Sequence, residues 1–389
     1  MRRIYLDHTA TTPLDPRVLE AMEPFFFGVF GNASSIHLFG REAKQALERA
    51  RGTIAGLIGA EPGEIFFTSG GTESDNLAIA GVAAASQGNR CRIVTSGAEH
   101  HAVLDTCEHL AQQGVPVAIL PVLETGGVDP DVVRGAVGPD VKLVSLMHAN
   151  NEVGTVSPVA AYAELARAAG AIVHTDAVQS AGRIPVDVRA LGVDLLTLSA
   201  HKMYGPKGIG ALFIRRGTAI EPVFHGGGQE RGRRPGTENV ALAAGFAEAF
   251  SIAAEEMARE SKRLKGLRDG LEVRLRESFP GLLVNGDPEA RLPHILNVSF
   301  DSARCPMEGE MLVVNMDLRG IAVTSGSACT SGSMQPSHVL LAMGRDPQTA
   351  RATIRFSFGK SNTDEDVAQV VDVLRQVLDQ MSSPQAPFV

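Results

Sequence analysis

Five short segments carry groups with chemical use, and each directly follows a run of apolar, β-branched residues. They are 68-TSGGTESDN-76, 98-AEHH-101, 148-HANNEVG-154, Asp176 with Gln179, and 199-SAHKMYGPKGIG-210. The first is a glycine turn opening a helix, whose unpaired backbone N–H groups and hydroxyls suit a phosphate. The others add an imidazole, side-chain amides, a carboxylate and a lysine. Taken singly, each has an ordinary reading as a turn glycine, a turn aspartate or a solvated lysine. Their convergence at five strand ends argues for one site.

Lys202 is one of only seven lysines in an arginine-rich chain. Burial at a strand end would depress its pKa and free a nucleophilic amine, which is what a Schiff base requires. A phosphate pocket, such a lysine, and a carboxylate to keep a pyridine nitrogen protonated are the three protein parts that pyridoxal 5'-phosphate needs. A further segment, 324-TSGSACTSGS-333, isolates Cys329 among small polar residues. Such residues have no apolar face to bury and favour a hydrated, mobile loop, so this thiol is not expected to be core filler. Cys91, Cys107 and Cys305 read as inert small hydrophobes.

Stepping outward, the strands that must present these groups are 64-EIFF-67, 92-RIVT-95, 117-VAIL-120, 142-KLVSL-146, 171-AIVHT-175, 193-VDLLTLS-199 and 208-GIGALFI-214. Their alternation with helical patterns predicts an α/β fold with a largely parallel sheet, in which ligands bind at the carboxyl ends of the strands. A long helical stretch over 241–281 follows. Strands at 295-ILNVSF-300 and 353-TIRFSF-358 then mix with helices as in an α+β unit. The expected division is a large domain over 15–255 and a small domain from 1–14 and 256–389. In the last helix, Thr363 and Asp366 form a capping-box-like start, and Val367, Val370, Val371, Leu374, Leu378 and Met381 share one face.

Composition bounds the partners. The 389 residues carry a formal charge of -8 with 44% hydrophobic residues, which is ordinary for a soluble globular protein and repels polyanions. Nucleic acid is therefore not an expected partner, and the arginines of 231-RGRRPG-236 read as a solvated or phosphate-facing turn. No apolar run reaches membrane-spanning length, and the cysteines lack CxxC or zinc spacing, so a cytoplasmic protein with reduced thiols is expected. His101, Asp105 and His109 fall on one helical face at i, i+4 and i+8, a pattern open to a metal but more in keeping with solvated side chains.

Together, 6-LDHTATTP-13, 31-GNASSIHLFGREA-43, 67-FTSGGTESDN-76, 99-EHHAVLDT-106, 148-HANNEVGT-155, 174-HTDAVQS-180, 199-SAHKMYGPKGIG-210, 226-GGGQERGRRPGTEN-239 and 324-TSGSACTSG-332 resemble the cysteine desulfurases of the class V aminotransferase family, of the NifS and IscS type. The resemblance implies the fold-type I architecture of pyridoxal 5'-phosphate enzymes: a large domain with a mixed, mostly parallel seven-stranded sheet, a smaller α+β C-terminal domain, and a homodimer. It implies that Lys202 holds the cofactor, Asp176 pairs with the ring nitrogen, Gln179 bonds the phenolic oxygen, and His100 stacks on the ring and assists proton transfers. Gly71, Thr72, Ser199 and His201 would hold the phosphate, with Thr237 reaching in from a partner subunit. Asn151 and Arg355 would bind the substrate carboxylate of L-cysteine. Cys329 would accept the sulfur, pass it to an acceptor or iron–sulfur scaffold protein, and be a candidate transient cluster ligand; no other metal site is implied. Selenocysteine lyase and transaminase chemistry remain alternatives on the same fold. His8-Thr9 and Asn32-Ala33 depart from the family's usual Asn-Ala and Asn-Pro, in segments expected to shape the entrance rather than the chemistry.

Overall fold

A computed structural model describes residues 3–86, 91–304, 309–326 and 335–382. In chain order its strands are β1 (Ile4–Tyr5), β2 (Ile65–Thr68), β3 (Arg92–Ser96), β4 (Val117–Leu120), β5 (Val141–Ser145), β6 (Ile172–Asp176), β7 (Leu195–Ser199), β8 (Gly210–Ile214), β9 (Leu282–Asn285), β10 (Ile295–Phe300), β11 (Ile321–Ala322) and β12 (Thr353–Ser357). Seven of them form one sheet in the order β2-β8-β7-β6-β5-β3-β4. Only β8 runs against the others, pairing antiparallel with both β2 and β7. Six strands therefore end at the same edge, which is where the segments with chemical groups follow them.

The near-continuous apolar runs are explained by burial on both faces, as a helix-covered parallel sheet demands. On one face Val144, Val173, Leu196 and Leu198 pack with Ile54 of the helix Leu38–Leu57 and with Phe246 and Phe250 of the helix Val240–Ser278. On the other, Ile93, Leu143, Leu195 and Leu212 pack with Leu77, Ile79 and Val103 from the helices Gly71–Ala85 and His101–Gln112. This is the mixed, mostly parallel seven-stranded sheet that the resemblance implies.

A second apolar cluster joins Leu264, Leu267, Leu271 and Leu275, from the far half of the same long helix, to Leu296, Val298, Ile354 and Phe356. Here β12, β10 and β9 form an antiparallel sheet in which Asn297 faces Arg355. The helix Asp364–Ser382 closes over it, burying Val367, Val370, Val371, Leu374 and also Val377. Its start is a reciprocal cap: the Thr363 N–H donates to Asp366 Oδ2 at 3.1 Å, and the Asp366 N–H to Thr363 Oγ1 at 3.4 Å.

Three strands lacked a periodic signal. β1 and β11 have two residues each, paired in parallel as Ile4 with Ile321. β9 begins at Leu282, immediately after the stretch read as helix to 281. The helix ends at Ser278 because Pro280 cannot continue it, and Gly281 turns the chain at φ +94°. Among the described residues, no helix is long and apolar enough to cross a membrane.

Candidate functional site

The site is built at the carboxyl edge of the large sheet. β2 delivers Ser69 and Gly70 to the helix Gly71–Ala85, whose N-cap Gly70 makes no side-chain capping bond. A helix start without a cap leaves N–H groups for an anion. Gly71 faces Ser199 across this opening: a Cβ there would lie 3.0 Å from Val178 Cγ2 and 3.8 Å from Ser199 Cβ. Gly210, where β8 begins, is tighter, since a Cβ would meet the Gly70 carbonyl carbon at 2.7 Å. Both glycines keep the cradle open where side chains would fill it. Thr72 follows within the same first turn.

β6 ends at Asp176, which is buried. Burial pushes its carboxyl up to about 6, against the pull of the Val178 N–H, which donates to Oδ1 at 2.8 Å, and of the Lys202 charge. Beneath it lies a polar chain that sequence reading missed. Asp75, from the helix Gly71–Ala85, approaches His174 Nε2 at 3.6 Å, and the two ring nitrogens of His174 bond Ser145 Oγ at 2.8 Å and Thr197 Oγ1 at 3.0 Å. Burial, then the charge of Asp176, raises the Asp75 pKa well above the usual carboxylate range, and its Oδ1 has no hydrogen-bond partner. Two carboxyls in one low-dielectric space oppose each other's ionisation, so the neutral form is favoured most at Asp75, leaving Asp176 the readier of the two to carry charge. The period-2 position of His174, two residues before Asp176 on one strand face, was the available signal.

β7 ends at Ser199, and the tight turn Ala200–Lys202 follows. Lys202 Nζ donates to the carbonyls of Thr9 at 2.5 Å and Ala10 at 2.8 Å. Burial foremost, and then the nearby Arg355 charge, lower its pKa to about 8. The amine is thus closer to its reactive form than a solvated lysine. Gln179 Nε2 donates to the same Thr9 carbonyl at 3.0 Å, and His201 Nδ1 bonds Thr11 Oγ1 at 3.1 Å. The expectation that His8-Thr9 only shapes the entrance is corrected here: both are buried, and the Thr9 carbonyl is shared by Lys202 and Gln179.

His100 caps the helix His101–Gln112, accepting at Nδ1 from the Ala102 N–H at 3.1 Å. Desolvation and the Lys202 charge favour its neutral form, yet its ring is open to solvent, so a flat ring could cover it. Asn151 and Arg355 meet at the opposite end. Arg355 Nη1 donates to the Asn151 carbonyl at 2.8 Å and Nη2 to Asp7 Oδ1 at 2.8 Å. Arg355 Nε and Asn151 Oδ1 are buried without partners, as expected of groups that wait for a polar ligand.

The structure therefore brings together Gly71, Ser199, Asp176, Gln179, His201 and Lys202, with Asn151 and Arg355 beside them. Thr237 lines a cleft of about 240 Å³ with Thr68, Ser69 and Arg234. Cys329 and Cys305 lie outside the described residues. Cys107 is buried, which pushes its thiol up to about 12, and burial also raises Cys91. On the helix His101–Gln112, His101 bonds Asp105 at 3.1 Å and His109 bonds Gln113 at 2.9 Å. Among the described residues no three acidic, histidine or cysteine groups converge as a metal site. Arg231 donates to the Gly63 carbonyl at 2.8 Å and Arg234 to Glu73 at 2.8 Å, so this arginine turn is held by the protein itself.

The donor set fits pyridoxal 5'-phosphate: an uncapped helix start and open glycine cradle for phosphate, an ionised Asp176 for the ring nitrogen, and a low-pKa lysine. Comparison with known proteins agrees. Residues 4–370 match the family described as aminotransferase class-V. The cysteine desulfurase IscS of Dictyoglomus turgidum is 48% identical, over 98% of this chain and 95% of that one. A solved structure of a NifS-like protein superposes with a TM-score of 0.89 at 39% identity, covering 98% of this chain and 100% of the other. The structure described as SspA in complex with cysteine gives 0.79 at 34% identity, over 91% and 98% of the two chains. The chain belongs to the class-V aminotransferase family of pyridoxal 5'-phosphate enzymes.

Proposed function

We propose that this protein is a cysteine desulfurase that converts L-cysteine to L-alanine and leaves the sulfur as a persulfide on Cys329. The observation that carries the reading is a backbone tie. The Arg355 N–H donates to the Thr324 carbonyl at 2.6 Å, five residues before the thiol, while the Arg355 side chain sits within the site. The segment leading to Cys329 is thus anchored on the residue assigned to the substrate carboxylate.

The bound cofactor supplies an electron sink for the substrate's α-carbon. Gly71, Thr72, Ser199 and His201 would hold its phosphate, Gln179 its phenolic oxygen and Asp176 its ring nitrogen, and His100 would stack on the ring. Arg355 clamps the substrate carboxylate as a two-pronged donor, and Asn151 assists. Lys202, once its amine is free, takes the proton from the α-carbon, and His100 assists transfer. The Cys329 thiolate attacks the substrate sulfur. A sulfur–sulfur bond forms as the carbon–sulfur bond breaks, and the carbon skeleton keeps that electron pair, takes up one proton at the β-carbon, regains one at the α-carbon from Lys202 and leaves as L-alanine. The persulfide passes to an acceptor or iron–sulfur scaffold protein.

Two finer parts belong to the same proposal. The protein acts in the cytoplasm, and as a homodimer, the latter supported by the exposure of Phe27 at 81%, Phe30 at 66% and Ile36 at 90%. The test is product release from L-cysteine with a thiol reductant. Equal alanine and sulfide, with sulfide abolished in Cys329→Ala, is expected. Amino transfer to a keto acid without sulfide would assign a transaminase, and turnover of L-selenocysteine alone a selenocysteine lyase.

A further inference from the structure

Glu152 directly follows Asn151 and is buried, yet neither cofactor nor substrate chemistry as derived above employs it. Its backbone is fixed from two sides. The Glu152 and Val153 N–H groups donate to Asn150 Oδ1 at 2.8 and 2.9 Å, and Asn150 Nδ2 donates to the Ala98 carbonyl at 2.9 Å. Asn297 of β10 donates to the Glu152 carbonyl at 3.2 Å. Its carboxylate meets the two ends of the segment that contains Cys329. Ser337 Oγ donates to Glu152 Oε2, and Ser337 is itself buried and caps the helix His338–Ala342. At the other end, Gly326 comes so close that a Cβ would fall 2.6 Å from the same Oε2, with φ at +97°.

We infer that Glu152 is a positioning residue for sulfur transfer: one buried carboxylate fastens Ser337 and seats Gly326, registering both stems of the Cys329 segment against Asn151 and Arg355. The inference rests on the desulfurase reading. A carboxylate suits the task because it accepts from the serine hydroxyl while leaving room only for glycine opposite. Both stems then share one rigid reference, which also carries the neighbouring substrate contact. Misplacing them should slow attack on sulfur without weakening capture of the amino acid.

The test compares holoenzyme of wild type, Ser337→Ala, Ser337→Thr and Glu152→Ala. Three quantities are read: L-alanine affinity from the visible spectrum, the rate of sulfide release, and the rate at which iodoacetamide labels Cys329, located by peptide mass. In Ser337→Ala the cofactor band and L-alanine affinity should match wild type. Sulfide release should fall by about tenfold or more, and labelling should rise roughly threefold as the stem opens locally. Ser337→Thr, which keeps the hydroxyl, should restore both. Wild-type rates in Ser337→Ala, or parallel loss of cofactor band and sulfide release, would overturn the inference. Failure of wild type itself to desulfurate L-cysteine would overturn the functional reading instead, and an unchanged labelling rate would then still count against the stem role. Wild-type rates in Ser337→Ala overturn the inference even if Glu152→Ala does not fold; because the lost oxygen also accepts from the Leu340 N–H as a helix cap, the same changes are required in Glu152→Ala, which keeps that cap.

Discussion

The cofactor end and the substrate end of the site are built in opposite ways. At the cofactor end, Gly71, Asp176, Ser199 and Lys202 each follow or end a strand of one sheet, and helices cover both faces. At the substrate end, Arg355 is held by Asp7 from the N-terminal segment, by the Asn151 carbonyl and by Thr324, three stretches far apart in sequence. The first end is rigid because the sheet is rigid. At the second, Arg355 is itself set on β12, but its guanidinium is aimed by hydrogen bonds to separate segments, so damage should divide between cofactor chemistry and substrate capture.

Replacing Lys202 by Ala should produce the largest effect. The covalent lysine–cofactor band disappears, and alanine formation falls by about 10³-fold or more, since base and anchor are lost together. Retention of the band in this variant would break the assignment of the cofactor end. Asp176→Asn removes the charge opposite the ring nitrogen and should lower turnover by roughly 10²-fold with L-alanine affinity little changed. If affinity collapsed instead, the two ends would be coupled more tightly than the geometry implies.

Arg355→Lys tests the other end. A point charge cannot reproduce the fork, so about 2 kcal/mol of carboxylate binding should be lost, near 30-fold in the KM for L-cysteine, with the visible spectrum preserved. The smallest effect concerns pH. Burial lowers the Lys202 pKa to about 8, so the free amine dominates above that value and the ammonium below it. The rate at which apoenzyme captures pyridoxal 5'-phosphate should therefore rise by about tenfold between pH 7 and 9 and then level. A rise that continues to pH 10 would mean that the amine is solvated, not buried.

The two ends also differ in how legible they were. Apolar runs marked the strands within a residue or two, and Asp176 and Lys202 stood out as polar residues at their ends. The capping box of Thr363 with Asp366 was equally plain, because its partners lie three residues apart. β9 was missed, because Leu282–Asn285 follows directly on the helical stretch with no alternation to mark it. Asp75, His174 and Glu152 were passed over because a buried polar residue resembles a surface one until its surroundings are known.

What the sequence alone determined is the set of chemical groups and their order along strand ends, since side-chain identity and the two-residue strand period are local properties. Only the tertiary structure decided that the carbonyls of Thr9 and Ala10 hold the Lys202 amine, that Asp7 occupies one prong of Arg355, and that the Glu152 carboxylate bonds Ser337 and leaves room only for glycine at position 326. A backbone carbonyl has no side-chain signature, and the low dielectric that shifts Asp176 and Lys202 comes from burial by residues far away in the chain.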